Sequence, residues 1–116
     1  MSFLPNADKA VIAQEKLTGY LLSSDHTSGK PKAAFFKRFG YHKSNWRVIE
    51  NDLRELIFSQ HIQETKKTQF GTKYIITGPI ISPSGETIQV LTVWVILDRE
   101  DFPRFITAYP GEKYES

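Results

Sequence analysis

No cysteine occurs in the chain. That absence excludes disulfide scaffolds, thiolate metal sites and cysteine nucleophiles together. It fits a reducing compartment, so a cytoplasmic location is expected. No apolar run approaches the ~18 residues that mark a membrane-spanning helix, and no membrane partner is expected. The opening MSFLPNADKAVIAQ is not a signal peptide, because Asp8 and Lys9 interrupt it before any long apolar stretch. Histidine is scarce. His26, His42 and His61 show neither a His–His nor a His–carboxylate spacing of a metal site. Phosphate-binding glycine loops, dinucleotide fingerprints and Ser/His/Asp spacings are missing, and the acids are scattered. No metal and no cofactor is expected.

What is present fits one domain. The 116 residues are 40% apolar and 13% aromatic, enough for a core without disulfide or metal support. A single domain over residues 1–116 is expected, with a core from about 4 to 110 and a loose tail from 111 to 116. Net charge is only +2, but it is unevenly spread. Residues 26–49 carry Lys30, Lys32, Lys37, Arg38, Lys43 and Arg47 and no acid, leaving the remainder at −4.

The first half reads as helical. QEKLTGYLLSS (14–24) has Leu17, Tyr20 and Leu21 on one stripe, weakened by Gly19. In PKAAFFKRFG (31–40), Pro31 suits the first helical position and Gly40 the position just past the end. SNWRVIENDLRELIFS (44–59) is a third helix with Ser44 as its N-cap and Trp46, Ile49, Leu53 and Leu56 on one face. From about Ile62 the hydrophobic period changes to two. IQETKKTQF (62–70) is a polar edge strand, followed by TKYIITG (72–78), TIQVLTVWVIL (87–97) and RFITAYP (104–110). The third strand is apolar on both sides over its second half and is placed centrally. Short turns require antiparallel neighbours. The expected fold is α+β, three N-terminal helices packed on a four-stranded antiparallel curved sheet.

Two places break local rules. In the second helix, Lys32 falls between Phe36 and Phe39 on the helical wheel, inside the arc the phenylalanines bury. Lys30 and Lys32 also sit at a helix N-terminus, where cations oppose the macrodipole. Together with free N–H groups they would hold a phosphate or carboxylate. The alternative is a lysine whose stem lies along apolar surface with its head in water. Lys37, Arg38 and Lys43 fall outside the buried arc. His26 lies in the preceding loop. Among cations its imidazolium form is disfavoured, which leaves a neutral base, or else a turn-capping histidine. In the last strand, strict alternation puts Arg104, Ile106 and Ala108 on one face and Phe105, Thr107 and Tyr109 on the other. Arg104 can clamp a phosphate bidentately, and the hydroxyls of Thr107 and Tyr109 stand about 7 Å apart along the strand. The alternative is an ordinary β-forming strand closed by a proline.

The segments LPNADKAVI, EKLTGYLLS, KAAFFKRFGY, GTKYIITGPIISPSGE, VLTVWVI and PRFITAYP together resemble a family of small uncharacterised bacterial domains. More distantly they resemble the barnase–EndoU–colicin–RelE-like nuclease and toxin domains, through helices followed by a four-stranded sheet and the phrase ITAYP. That resemblance implies a metal-independent endoribonuclease, toxin-related, with RNA as partner. His26 would be the base. Lys30, Lys32 and Arg104 would stabilise charge on the phosphorane, and Thr107 or Tyr109 would orient the phosphate. The chain departs from the pattern in lacking a clear second catalytic histidine and a glutamate in the central strand. The other reading is a non-catalytic interaction domain of a toxin–antitoxin or phage-related locus, with a protein partner such as an antitoxin.

Overall fold

The computed structural model describes residues 2–25 and 30–111. It carries the α+β fold expected, with helices in the N-terminal half and a four-stranded antiparallel sheet after them. After a 3₁₀ turn, α1 is a single turn, Gln14–Lys16, that runs on into a π-helical segment, Leu17–Leu21. Helix α2 spans Lys30–Arg38 and α3 spans Trp46–Ser59. The strands are β1 (Glu64–Lys67), β2 (Gly71–Ile81), β3 (Thr87–Leu97) and β4 (Arg104–Pro110), in the order β1-β2-β3-β4.

The helices cover one face of the sheet. Ile76 and Ile80 from β2, Ile88, Val90 and Trp94 from β3, and Phe105 and Ala108 from β4 meet Leu17, Leu21, Phe36, Ile49 and Leu53 in one core. Trp94 sits at its centre, fully buried. Its ring packs edge-on against Phe105, with centroids 5.3 Å apart. Its indole N–H donates to Thr92 Oγ1 at 2.8 Å, and that hydroxyl donates to the Ile76 carbonyl at 2.8 Å. A buried indole needs such a partner, and a threonine two residues away on the same strand face supplies it.

Gly40 ends α2 as expected, in a Schellman motif. Its φ is 99°, Gly40 N–H donates to the Lys37 carbonyl at 3.0 Å, and Tyr41 N–H donates to the Phe36 carbonyl at 3.0 Å. The hydrophobic contact that accompanies this motif is the Phe36–Tyr41 ring pair. The start of α3 differs from expectation. Asn45, not Ser44, is the N-cap residue, after a 3₁₀ turn at Lys43–Asn45. Its side chain accepts from His42 N–H at 2.7 Å and donates to the Gly40 carbonyl at 3.0 Å, so one amide ties both helix ends. A hydroxyl has no comparable reach in both directions.

Strand β4 is an edge strand, but part of its outer side is occupied. Val11 N–H donates to the Pro103 carbonyl and Phe105 N–H donates to the Val11 carbonyl, both at 2.9 Å. Along its inner side the register slips. Trp94 faces Phe105, yet Val93 faces Thr107, so Ile106 is an extra residue in a β-bulge. This corrects the alternation expected from sequence. Cross-strand partners share a face, so Arg104 (opposite Val95), Thr107 (opposite Val93) and Tyr109 (opposite Leu91) all lie on the open side. Phe105 and Ala108 both lie on the helix side.

Tyr41 links α2's end to α3. It is 1% exposed, and its hydroxyl donates to Asp52 Oδ2 at 2.6 Å. Burial, then the bond to Asp52 and its charge, push the phenol well above its ordinary value of 10.0. An unfolded tyrosine loses its proton near pH 10 while the folded one keeps it, so the native state binds more protons above that pH. Stability therefore falls as pH rises past about 10, by up to ~1.4 kcal/mol per pH unit. Urea titrations on either side of that pH are expected to show a steeper loss for the wild type than for Tyr41→Phe. Parallel pH dependences in the two proteins would contradict the assignment.

Candidate functional site

Three elements bring side chains together beside β4. In a π-helical segment the backbone bonds skip to i+5, here Leu22 N–H to the Leu17 carbonyl at 2.8 Å, and such segments recur at functional positions. Gly19 lies within it, so the local weakness read from sequence coincides with the altered winding. The next residue is Tyr20. Its hydroxyl accepts a hydrogen bond from Lys32 Nζ and shares another, at 3.1 Å, with Thr107 Oγ1.

Lys32 comes from the first turn of α2 and is half-buried, in accord with its place inside the phenylalanine arc. Its ammonium lies 4.7 Å from the Tyr20 ring centroid and 4.5 Å from that of Tyr109. The π face of Tyr109 therefore favours the cation, while Tyr20 meets it through its hydroxyl. Thr107 is only 6% exposed, so its hydroxyl has been taken from water and set against the tyrosine. Partial burial raises the Tyr20 pKa, but the hydrogen bonds with Lys32 and Thr107 and the charges of Lys32 and Lys16 outweigh it. The net effect holds the phenol below 10.0. A hydroxyl–phenol–ammonium relay of this kind can bind an anionic oxygen and pass a proton to it.

On the open sheet face, beside Thr107 and Tyr109, lies a depression of about 510 Å³. Its floor is apolar, from Ile75, Leu91 and Val93. Lys66 and Lys73, directly opposite one another on β1 and β2, stand at its far side. The open face is thus concave, with hydroxyls at one rim and, at the other, two lysines together with the carboxylate of Glu64.

The other expected site residues fall as follows. Arg104 shares a strand and a face with Thr107, but Glu100 already holds its guanidinium by two bonds of 2.8 and 2.7 Å, and it lies 4.9 Å from the Phe102 ring. The bond to Arg104 keeps the Glu100 carboxyl below its usual range and raises Arg104 in turn. Lys30 and Lys32 are two positions apart on α2, about 200° around the helix, so the pair is split between opposite faces. Lys30 is exposed on the side away from Tyr20. His26 lies outside the described residues. Sequence reasoning missed Tyr20 because its spacing from Leu17 and Leu21 is that of a core stripe. The available signal was chemical, since a tyrosine among leucines needs a partner for its hydroxyl.

No described helix is long and apolar enough to cross a membrane. A family model, Domain of unknown function (DUF6883), matches residues 3–112, and the chain belongs to that family. Among solved structures the chain is similar to one from the contact-dependent growth inhibition toxin–immunity protein complex of Klebsiella pneumoniae 342. The TM-score is 0.70 at 21% identity, over 87% of this chain and 99% of that one. Likeness at that identity establishes a common fold. No curated protein matches the chain.

Proposed function

We propose that this member of the DUF6883 family is a toxin-related, metal-independent endoribonuclease whose site is built around Lys32 and Tyr20. One arrangement carries the reading: a half-buried ammonium and a shielded threonine hydroxyl both set on one phenol oxygen. In the reaction, the ribose 2′-oxygen bonds to the adjacent phosphorus as the bond from phosphorus to O5′ breaks. A base takes the 2′ proton and an acid supplies one to O5′, leaving a 2′,3′-cyclic phosphate and a 5′-hydroxyl. Tyr20 is placed as the acid, reset by Lys32, whose charge also faces the phosphorane. Thr107 and Tyr109 orient the phosphate, and His26 takes the role of base. Arg104 contributes only when Glu100 releases it, and Lys30 lies farther out. The fold's likeness to a chain of a toxin–immunity protein complex supports the toxin-related setting. It also favours a second reading, a non-catalytic domain that binds a protein partner.

Incubation of the purified protein with several RNA classes in a chelating agent separates the two. Fragments ending in 2′,3′-cyclic phosphate are expected, with loss of cleavage in Tyr20→Phe and His26→Ala. Intact RNA at high protein concentration would leave the protein-binding reading.

A further inference from the structure

The six cations of residues 26–49 do not form one cloud. Three are settled on aromatic rings. Lys32 lies 4.5 Å from the Tyr109 ring and on the Tyr20 hydroxyl, Arg38 sits 5.2 Å from the Phe39 ring, and Arg47 sits 4.6 Å from the Trp46 ring. The other three, Lys30, Lys37 and Lys43, are exposed and line a single groove of about 370 Å³. Leu22, Ala33 and Tyr41 form part of its floor, and among the described residues no carboxylate lines it. Among the described residues no ion pair engages any of these three lysines.

Geometry relates this groove to the site. Lys30 and Lys37 are one heptad apart and so project from the same side of α2, roughly opposite Lys32. The helix between the two faces is about 10–12 Å across with its side chains. One strand of nucleic acid passing over α2 can therefore touch both. Chemistry points the same way. Interfaces between proteins favour arginine and aromatic anchors and are depleted in lysine. Here the lining cations are all lysines, compact point charges suited to phosphate.

We infer that the Lys30–Lys37–Lys43 groove is a backbone-binding track for RNA, which holds phosphates flanking the scissile bond on the opposite side of α2. This rests on the ribonuclease reading and deepens it: the substrate is an RNA chain extending beyond the nucleotides being cut, not a dinucleotide.

The test uses a 2′-O-methyl oligoribonucleotide, which cannot be cleaved for want of a free 2′-hydroxyl, and a cleavable dinucleotide. Each lysine–phosphate contact adds about 0.7 to the slope of log affinity against log salt on a single strand. The double variant Lys37→Gln/Lys43→Gln is expected to lower that slope by about 1.4, which is roughly a tenfold weaker affinity at 0.15 M salt. KM for long RNA rises in step, while dinucleotide cleavage is unchanged. Lys37→Arg/Lys43→Arg restores the slope, which separates charge from folding. An unchanged slope and affinity in the glutamine variant overturns the proposal. So does unchanged oligonucleotide binding together with lost binding of poly-glutamate, which would assign the groove to an acidic protein. The two readings fail separately. A protein that cleaves nothing but binds the oligonucleotide with a lysine-dependent slope keeps the track and loses the chemistry. A protein that cleaves dinucleotide with no such slope does the reverse.

Discussion

In Lys32→Met, RNA cleavage is expected to fall by about 10²–10³-fold, the usual effect of removing one preorganised charge stabiliser from an active site. Methionine keeps the unbranched shape that reaches the two tyrosines, so the packing survives while the charge and its hydrogen bond are lost. A second readout checks the cause. In the wild type the Lys32 ammonium helps hold the Tyr20 phenol below 10.0, against the upward push of burial. With the charge and its hydrogen bond removed, only Thr107 and Lys16 still oppose burial, and phenolate absorbance assigned to Tyr20 should appear at higher pH than before. An alkaline limb of the rate profile that moves with that phenol would tie the two effects to one proton. Should the phenol move up while cleavage continues at the wild-type rate, the Lys32–Tyr20 pair is a structural contact and the catalytic assignment is wrong.

Trp94→Ala is expected to have the largest effect on stability, a loss of about 3–5 kcal/mol. The indole is wholly buried at the centre of the core, packed edge-on against Phe105. Its removal leaves a void bounded by a rigid sheet and by helices that pack against other strands as well, so the walls have little room to close. The Thr92 hydroxyl also loses its donor while keeping its bond to Ile76. At this chain length each kilocalorie moves Tm by about 4 °C, so a fall of roughly 12–20 °C is expected by calorimetry. A shift of only a few degrees would mean that the helices collapse onto the sheet more freely than the core geometry implies.

Why some of this could be read from sequence and some could not has physical reasons. The change of hydrophobic period near Ile62 gave the division into helices and sheet, because side-chain period follows directly from backbone geometry. The two-sided apolar pattern of β3 placed it inside the sheet, and Gly40 marked a helix end because its φ of 99° is costly for other residues. Lys32 stood out because it interrupts an apolar arc. What eluded sequence were departures from regular backbone. A π-helical segment and a β-bulge each change the phase of the pattern by about one residue, and nothing in residue type signals either strongly. The β4 faces were misassigned for that reason, although Phe105 and Ala108, both apolar and three apart, hint at an irregular strand. Tyr20 was hidden by the same regularity that revealed its neighbours. The pairing of Arg104 with Glu100 was also beyond reach, since it depends on how the turn from 98 to 103 folds back on the strand.

The extra residue in β4 gives the site an unusual dependence on counting. Side chains in a regular strand alternate strictly, so adding or removing one residue normally turns everything beyond it to the other face. Here one residue, Ile106, has already been absorbed without being paired. Two chain lengths therefore present Thr107 and Tyr109 to the same side as Arg104: the present one, bulged, and one shorter by a residue and straight. The strand can lose Ile106 and keep its orientation, whereas losing either neighbour removes a core or a site residue. At this point in the molecule, length is buffered and identity is not.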